Sequence, residues 1–311
     1  MHGTRLVENS GFLCCDQNHR YPVTGGIPRF VEGGAYAEHF GLQWKTYTRT
    51  QLDSHTGKPI TRERLRRCFG QAGWSGLQGS TVLECGCGAG RFTEILLERG
   101  AFVTSIDLSA AVEANKANFP IGPSHRIAQA DILSLPFAEE SFDAVLCLGV
   151  IQHTPNPEKT IAQLFRRVKP GGTLVIDHYA FTLRRYTAAA PIFRAYLKRL
   201  PLDRALAATE RLVDIFLPLH KRFARPSLGR ALLTRISPVF SYYAEYPQLD
   251  DTQQREWALL DTHDGLTDWY KHVRTRRQIR RTLQALGLED IWCEYGGNGV
   301  EARGRRPAER R

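Results

Sequence analysis

Long apolar runs are missing from this sequence of 311 residues, because no stretch approaches the roughly 18 uninterrupted apolar residues that a membrane-spanning helix needs. The N-terminal residues also lack the apolar segment of a secretory signal peptide. Both absences predict a cytoplasmic protein. Apolar residues are nevertheless 42% of the chain, which is enough to form a substantial buried core.

Cysteine is sparse. Seven scattered cysteines, an odd number, cannot supply the dense framework of a small disulfide-bonded domain, so reduced thiols are expected. The length predicts one large domain with additions, or two domains.

Acidic residues are outnumbered, since 42 Lys and Arg face 32 Asp and Glu and the net charge is +10. Residues 181–236 alone carry +9, whereas residues 75–180 carry −3. Such an excess fits a nucleic acid, a membrane surface or an anionic small molecule as partner, and it equally fits an Arg-rich solvated surface. Because the excess is confined to residues 181–236, the basic charge belongs to one segment of the chain and not to residues 75–180.

Strand and helix signals alternate between residues 80 and 180. A helix over 92–98 ends at Gly100, and a second helix begins at Asn156, with Pro157 at its first position, and runs to about Val168. Short apolar strands between helices predict a parallel sheet covered on both faces. The predicted strands are 81–84, 102–106, 127–130, 143–148 and 173–177.

The segment after the fifth strand has a different pattern. Apolar residues recur at helical spacing, which predicts several amphipathic helices interrupted by Pro201, Pro218 and Pro226. A basic helix over 276–286, a strand over 288–295 and a last short strand follow, and the basic tail over 303–311 is expected to fray. The predicted organisation is a hairpin and helical lid (1–74), an α/β core (75–180), a helical cap (181–270) and a C-terminal completion of the core sheet (271–311).

Three glycines, Gly86, Gly88 and Gly90, fall at the turn between the first core strand and its helix. Glycine allows positive φ and close approach of a ligand to the backbone, and Asp107 ends the next strand, where it can bind ribose hydroxyls. The spacing differs from the Gly-x-Gly-x-x-Gly of dinucleotide-binding folds. Glu84 before the turn suits a ligand with a positive group, such as S-adenosylmethionine.

Residues 80–180 resemble class I S-adenosylmethionine-dependent methyltransferases, specifically small-molecule methyltransferases of the type 11 group. The resemblance implies a Rossmann-like, doubly wound, mostly parallel sheet of seven strands with an N-terminal extension and a helical insertion after the fifth strand. It rests on five motifs in order, namely Val82–Phe92, Thr104–Ser109, Ala130–Phe137 with Ser141–Val145, Gly149–Pro155 and Val168–Leu174.

The resemblance also implies roles for individual residues around S-adenosylmethionine. The glycine turn would line the methionine portion with Glu84 near its ammonium group, Asp107 would bind the ribose, and Asp131 with Ile132 would meet the adenine. The cofactor-binding residues expected on this basis are Glu84, Gly86, Cys87, Gly88, Gly90, Arg91, Asp107, Leu108, Asp131, Ile132, Leu148 and Gly149.

The N-terminal segment resembles a zinc-ribbon-like hairpin that precedes some of these methyltransferases. Cys14 and Cys15 are adjacent, and together with His19 they do not supply four ligands at workable spacing. A metal-free hairpin is therefore expected. Cys85 and Cys87 occupy variable positions of the glycine turn, where packing is the simpler interpretation.

Methyl transfer needs a base only when the acceptor loses a proton. His153, after the fourth core strand, is the leading candidate, and His178 is a weaker one. Three segments, 37–54, 260–266 and 295–299, resemble the family's acceptor-binding regions, and they add Tyr47 and His263 as further candidate catalytic residues. The same segments make Gln43, Trp44 and Asp261 candidates for the pocket.

Three methyltransferase functions remain open from the sequence, beside that of a non-catalytic protein that binds a membrane through its basic amphipathic helices. The first is methylation of a small molecule, which the charge allows to be anionic, under a helical cap. The second is methylation of a lipid-linked, isoprenoid or phosphorylated acceptor at a membrane surface, where the basic helices would dock. RNA methylation is disfavoured, because the chain has no Asn/Asp-Pro-Pro-Tyr/Phe motif, no Pro-Cys nucleophile and no recognisable RNA-binding module.

Overall fold

The computed structural model describes residues 6–17, 19–31, 47–182 and 188–308. Seven strands of the described chain form its main sheet, and four short strands near the N-terminus form a second, antiparallel sheet. The strands are β1 (Val7–Asn9), β2 (Phe12–Cys14), β3 (Arg20–Thr24), β4 (Ile27–Pro28), β5 (Thr81–Cys85), β6 (Phe102–Asp107), β7 (His125–Gln129), β8 (Phe142–Cys147), β9 (Val168–Tyr179), β10 (Glu289–Gly296) and β11 (Gly299–Arg305).

Helices cover both faces of the main sheet and build the insertion. The helices are α1 (Asp53–Thr56), α2 (Ile60–Ser75), α3 (Arg91–Glu98), α4 (Ala111–Asn118), α5 (Pro157–Arg167), α6 (Ala190–Leu197), α7 (Leu202–Arg222), α8 (Leu228–Ile236), α9 (Asp251–Thr267) and α10 (Arg276–Ala285). Short 3₁₀ turns follow two strand ends, at Ile132–Ser134 and Ile151–His153.

The main sheet has the order β7-β6-β5-β8-β9-β11-β10. The pairs among β5 to β9 are parallel, and only β11 runs against its two neighbours. Strands β6 and β7 are added on one side of β5, and β8 and β9 on the other. The carboxyl ends of β5 and β8 therefore open a crevice where such sheets bind ligands. This arrangement confirms the Rossmann-like fold that the sequence predicts.

Two apolar layers hold the helices on the sheet. On one face, α2 and α3 pack Leu65, Phe69 and Ile95 against the strands. On the other face, α5 and α10 contribute Leu164 and Ile279. Helix α2 therefore belongs to the core layer, although the sequence assigned residues 1–74 to a hairpin and a lid.

Helix α5 begins as the sequence predicts. The Asn156 side chain accepts a hydrogen bond from the backbone N–H of Lys159, and Pro157 stands at the first helical position. The following strand begins at Val168 rather than at Thr173. Gly171 and Gly172 exchange backbone hydrogen bonds with Arg306, the residue after β11, and this pairing extends the strand. The β8–β9 register shifts between Phe142 and Ala144 to accommodate these extra residues.

The insertion forms the helical cap, α6 to α9. The expected break at Pro218 is wrong, because α7 continues through this residue to Arg222. Proline removes one backbone hydrogen bond from a helix, while Val213, Leu217 and His220 bury the inner face of α7 and hold it in place. No helix among the described residues is long and apolar enough to cross a membrane.

The C-terminal residues complete the sheet as a β-hairpin. The expectation that the tail from Arg303 frays is wrong up to Arg306, because β11 lies between β9 and β10 in the sheet. Arg303 lies over the Trp292 ring and donates to the carbonyl of Cys68, and Arg306 donates to the carbonyl of Val168.

Candidate functional site

A cavity opens at the carboxyl ends of β5, β6 and β8, and helix α9 of the cap closes one side of it. With its mouth, the cavity holds about 1150 Å³ of non-protein space. The lining residues are Gln51, Arg64, Gly86, Cys87, Gly88, Arg91, Phe92, Asp107, Leu108, Asp131, Ile132, Leu148, Gly149, Val150, His153, Thr154, Asp261, Asp264 and Asn298.

The glycine turn after β5 places the backbone of Gly86 and Gly88 at the floor of the cavity. Gly86 has φ of 77°, and a Cβ atom there would stand 2.1 Å from Cγ2 of Val150, so no other residue fits. The Gly86 N–H donates to the carbonyl of Ile106, which ties the turn to β6.

Two aspartates at the ends of β6 and β7 have the geometry of nucleoside contacts. Asp107 accepts hydrogen bonds from the Gly88 N–H at 3.1 Å and from the N–H and hydroxyl of Ser109 at 2.8 and 2.7 Å, which fix its carboxylate at the cavity. Asp131 accepts from the Leu133 N–H at 2.8 Å through one oxygen. Both carboxylates retain acceptor capacity, so they fit ribose hydroxyls and an adenine amino group.

Arg91 supplies a positive charge in the same cavity. Its guanidinium donates to the neutral oxygens of Gln51 and Thr61, and the Trp257 ring lies 5.3 Å away. Among the described residues, no carboxylate lies within 4.0 Å of it, and burial lowers its pKa. A buried cation without a close anion fits a carboxylate ligand, and the cavity as a whole therefore fits S-adenosylmethionine.

Ten of the twelve expected cofactor residues line the cavity, and Glu84 and Gly90 do not. Gly90 lies behind the turn, where a Cβ atom would meet the Phe119 ring at 2.6 Å. Glu84 lies beneath the cavity floor and accepts hydrogen bonds from the hydroxyls of Thr93 and Ser105. Its expected position beside the cofactor's ammonium group is corrected accordingly, because the side chain is fully buried among its own partners.

His153 lies in the cavity wall within a cluster of charges. Its Nδ1 is 3.2 Å from Oδ2 of Asp268, and its Nε2 is 3.9 Å from Oδ2 of Asp264. Burial opposes a charged imidazole, but Asp264 and Asp268 outweigh it and raise the pKa of His153. Asp268 also contacts Arg194 at 2.6 Å and Lys271 at 3.3 Å. These cations and His153 outweigh burial and lower the pKa of Asp268, which therefore remains a carboxylate beside His153. The Nδ1 atom of His153 also lies 3.2 Å from the carbonyl oxygen of Tyr270.

Asp264 is the acid in this cluster that lines the cavity. Burial raises its pKa to about 6, and nearby His153 partly opposes this shift. Its Oδ1 is buried and accepts no hydrogen bond from the described residues. Since buried carboxylate oxygens are ordinarily hydrogen-bonded, this oxygen is suited to receive a proton from a ligand.

Two of the three candidate catalytic residues do not line the cavity. His263 is fully buried and contacts the Thr209 hydroxyl at 3.2 Å, so it joins α9 to α7 inside the cap. Tyr47 packs with the apolar cluster of the cap, and burial and Glu210 raise its pKa. We therefore correct both assignments from catalytic to packing residues. His178 is also buried away from the cavity, and burial lowers its pKa to about 4.

The remaining pocket candidates divide in two. Asp261 lines the cavity and accepts a hydrogen bond from Gln51, as well as one from the Tyr242 hydroxyl. Gln43 and Trp44 lie outside the residues that the structure describes.

Sequence reasoning missed several lining residues. Asp264 and Asn298 both lie in segments that resemble acceptor-binding regions. Asp264 follows the pocket candidate Asp261 by three residues, which places both acids on one face of a helix, and this spacing could have identified it. Arg64 gave no such signal. It lies on α2 and donates to Asp177 and Glu301 from strands β9 and β11, contacts that only the tertiary fold creates.

No group of three or more His, Cys, Asp or Glu residues suited to a metal ion occurs among the described residues. In the N-terminal sheet, Sγ of Cys15 is 3.2 Å from Nδ1 of His19. A metal-free hairpin stays a prediction, for which metal analysis of the purified protein is the direct test.

Comparisons with known proteins identify the central part of the chain. A family model described as a methyltransferase domain matches residues 83–176. Over 101 residues the chain is 38% identical to a ubiquinone biosynthesis O-methyltransferase of Pseudomonas fluorescens, a match covering 31% of this chain and 43% of that protein. A counterpart from Pseudomonas paraeruginosa is 37% identical over 106 residues, or 33% of this chain and 46% of the relative. The chain spans about half the length of the curated relatives it matches.

Solved structures resemble the chain at low sequence identity. A methyltransferase from Mesorhizobium loti has a TM-score of 0.46 at 16% identity, covering 79% of this chain and 98% of that one. Phosphoethanolamine N-methyltransferase 2 of Haemonchus contortus, in complex with S-adenosyl-L-methionine, has a TM-score of 0.42 at 17% identity, covering 76% of this chain and 38% of that one. The match of the family model and the observed fold together show that the chain contains a class I S-adenosylmethionine-dependent methyltransferase domain, with S-adenosylmethionine as its cofactor.

Proposed function

We propose that the chain methylates a hydroxyl oxygen of a small-molecule acceptor held between the α/β core and the helical cap. The observation that carries this proposal is Asp264, whose Oδ1 accepts no hydrogen bond from the described residues while the side chain lines the cavity. The curated relatives from Pseudomonas are named as O-methyltransferases, which supports an oxygen acceptor.

S-Adenosylmethionine supplies an electrophilic methyl group when bound. The residues of this chain would position the acceptor and exclude water, and Asp264 would accept the acceptor's hydroxyl proton. His153, whose charged form Asp268 favours, stabilises the ionised form of Asp264 before that transfer. The proton then resides on the Asp264–His153 pair.

The charge of the cavity favours an acceptor that donates protons. Asp261, Asp264 and Gln51 lie at the cap side of the cavity, where the two acids stand near one cation that has no close anion, Arg91. A neutral hydroxyl donor fits this lining better than an anion at the reacting end. An anionic portion of the acceptor, as the whole-chain charge allows, would have to lie outside this region.

Cofactor binding is the first part of the test. We expect S-adenosylhomocysteine to bind with micromolar affinity in calorimetry, and Asp107→Ala to weaken it at least tenfold through loss of the ribose contacts. Asp203→Ala, an exposed acid on α7, is the control and should leave binding unchanged. An absence of binding by the wild-type protein up to millimolar ligand would refute the proposal.

Turnover is the second part of the test. With a panel of phenols, catechols and alcohols, we expect methyl transfer whose kcat falls 10²- to 10⁴-fold in Asp264→Asn. Activity should rise with pH through about 6 as Asp264 loses its proton in the field of His153, Asp268, Lys271 and Asp261. That rise should be absent from Asp264→Asn. Asp251→Asn, an exposed acid at the start of the same helix, is the control. Turnover of amines alone would exclude the oxygen acceptor.

A further inference from the structure

The outer surface of the cap exposes large apolar side chains that the proposed reaction does not use. Ten of the fifteen exposed large apolar residues in the described chain lie between residues 192 and 269, and the others are scattered. Helix α8 presents Leu228, Leu232 and Ile236 at a spacing of four residues, with exposures of 88%, 61% and 50%. This spacing places the three on one face of the helix.

The neighbouring helices extend this face. Ile215 and Leu219 are exposed four residues apart on α7, and Ile192 with Tyr196 repeat the pattern on α6. The end of α7 meets the start of α8, since a Cβ atom at Gly229 would lie 2.8 Å from the Phe223 ring. The start of α6 meets the end of α8, where the Ala189 N–H donates to the carbonyl of Arg235. The three helices therefore adjoin one another, and their exposed apolar residues are together called the cap face.

The helices of the cap face carry a net positive charge, and most of their cations contact no carboxylate. Of the ten Lys and Arg residues between 188 and 236, Arg194 and Lys221 contact carboxylates within 4.0 Å. The other eight contact no carboxylate among the described residues. Arg222 and Arg225 are both exposed and lie between the apolar residues of α7 and those of α8.

We infer that the cap face docks on the surface of an anionic lipid bilayer. Exposed Leu and Ile side chains would enter the boundary between headgroups and acyl chains, and the unpaired cations would contact the phosphates. Charge complementarity favours this partner over a second copy of the chain, because two cap faces would bring their uncompensated cations together. A nucleic acid would use the cations but leaves Leu228 and Leu232 without a role. The inference stands independently of the acceptor's identity.

Vesicle sedimentation tests the inference with the full chain. We expect the protein to pellet with vesicles of phosphatidylcholine containing phosphatidylglycerol, and not with phosphatidylcholine alone. Raising the salt concentration to 1 M should release it, because the screening length falls to about 3 Å. Arg222→Gln with Arg225→Gln should raise the lipid concentration for half-maximal pelleting on the order of tenfold. Leu228→Ser with Leu232→Ser should weaken pelleting by a similar factor.

A matched control uses another basic helix. Arg277 and Arg281 of α10 are exposed, but the apolar residues Ile279 and Leu283 of that helix are buried in the core. Arg277→Gln with Arg281→Gln should therefore retain pelleting. Calorimetry with S-adenosylhomocysteine checks that each variant is folded and separates failure of docking from failure of the proposed function.

Three results would overturn the inference. The first is failure of the wild-type protein to pellet with anionic vesicles. The second is equal loss of pelleting in the α10 control. The third is tight binding of polyuridylate RNA that the Leu228 and Leu232 substitutions leave unchanged, in a protein that vesicles do not bind; this would assign the surface to nucleic acid.

Discussion

Glu84 is a buried carboxylic acid whose ionised form is disfavoured in the folded protein. Its side chain is 1% exposed, and its Oε1 accepts no hydrogen bond from the described residues, although Oε2 accepts two from hydroxyls. Burial raises its pKa to about 7, against an ordinary value near 4.5, while Thr93 and Ser105 partly oppose the shift. Folding is therefore more favourable when Glu84 is protonated.

The sign of this effect gives a stability prediction. Because the pKa of Glu84 is higher in the folded state, its contribution to stability is complete below about pH 4.5 and is lost as the pH rises through about 7. Glu84→Gln removes this loss. We expect urea unfolding to show the variant gaining up to roughly 3 kcal/mol on the wild type between pH 4.5 and pH 8.

Glu98→Gln provides the control for this measurement. Glu98 lies at the end of α3 and pairs with Arg62 at the surface. Its free energy of unfolding should track the wild type within about 0.5 kcal/mol at both pH values. A pH-independent difference between Glu84→Gln and the wild type would show that Glu84 ionises normally.

Residue types at strand ends were predictable, and side-chain directions were not. Asp107 was found because parallel strands place their carboxyl ends at one edge of the sheet, and Asp131 was found through the family resemblance. His263 was misassigned because the sequence cannot show which face of α9 it occupies. Asp261 and Asp264 line the cavity from that helix, whereas His263 contacts Thr209 within the cap.

At the level of elements, a buried ion cluster joins α2 to the sheet. The Arg64 guanidinium contacts Asp177 on β9 at 2.6 Å and Glu301 on β11 at 3.0 Å. Burial opposes its charge, but the two carboxylates outweigh burial and raise the pKa of Arg64. Arg67, one turn later, contacts the same Glu301 from a half-exposed position. One turn of α2 thus neutralises acids from two strands.

Removing the buried cation should be costly, since it leaves buried carboxylates unpaired. We expect Arg64→Met to lower the free energy of unfolding by about 3–5 kcal/mol, measured by urea titration at pH 7. Asp177→Asn in that background should restore part of the loss. Arg67→Met is the control, and its effect should be about 1 kcal/mol because its side chain is 47% exposed. Equal losses in the two single variants would contradict this explanation.

Elements of the core were more predictable than those of the cap. The alternation of short apolar strands and helices predicts the five strands β5 to β9, and the Asn156 cap locates the start of α5 to the residue. In the cap, the predicted helix break at Pro218 does not occur. Burial of Val213 and Leu217 just before this residue stabilises a helix that local propensity alone would end. The position of α9 across the cavity depends on contacts distant in sequence, such as that of Trp257 with the carbonyl of Thr50.

For the whole molecule, the cavity joins parts that are far apart in the chain. The core supplies the glycine turn, α9 supplies Asp261 and Asp264, the segment before α1 supplies Gln51, and the turn between β10 and β11 supplies Asn298. A ligand in this cavity would contact all four parts. Its binding energy is therefore linked to the folding of cap and core together.

This linkage predicts a thermal shift. S-Adenosylhomocysteine at about 100 times its dissociation constant adds roughly 2.7 kcal/mol to the stability of the folded state, which should raise Tm by about 4 °C. We expect one calorimetric transition that moves as a unit. Asp107→Ala at the same ligand concentration should lose about half of this shift or more, because a tenfold weaker affinity leaves roughly 1.4 kcal/mol of stabilisation. A split in which the ligand moves only one of two transitions would mean that the cap unfolds separately from the core.

The β10–β11 hairpin has a consequence for the order of events during synthesis. Strand β11 lies between β9 and β10, its Glu301 binds Arg64, and Asn298 in the preceding turn lines the cavity. A ribosome that has released only the first 290 residues has therefore delivered the glycine turn and both nucleoside aspartates, yet Arg64 still lacks one of its two carboxylates. The nascent protein would acquire its complete cavity only when the last strand of the sheet emerges from the exit tunnel.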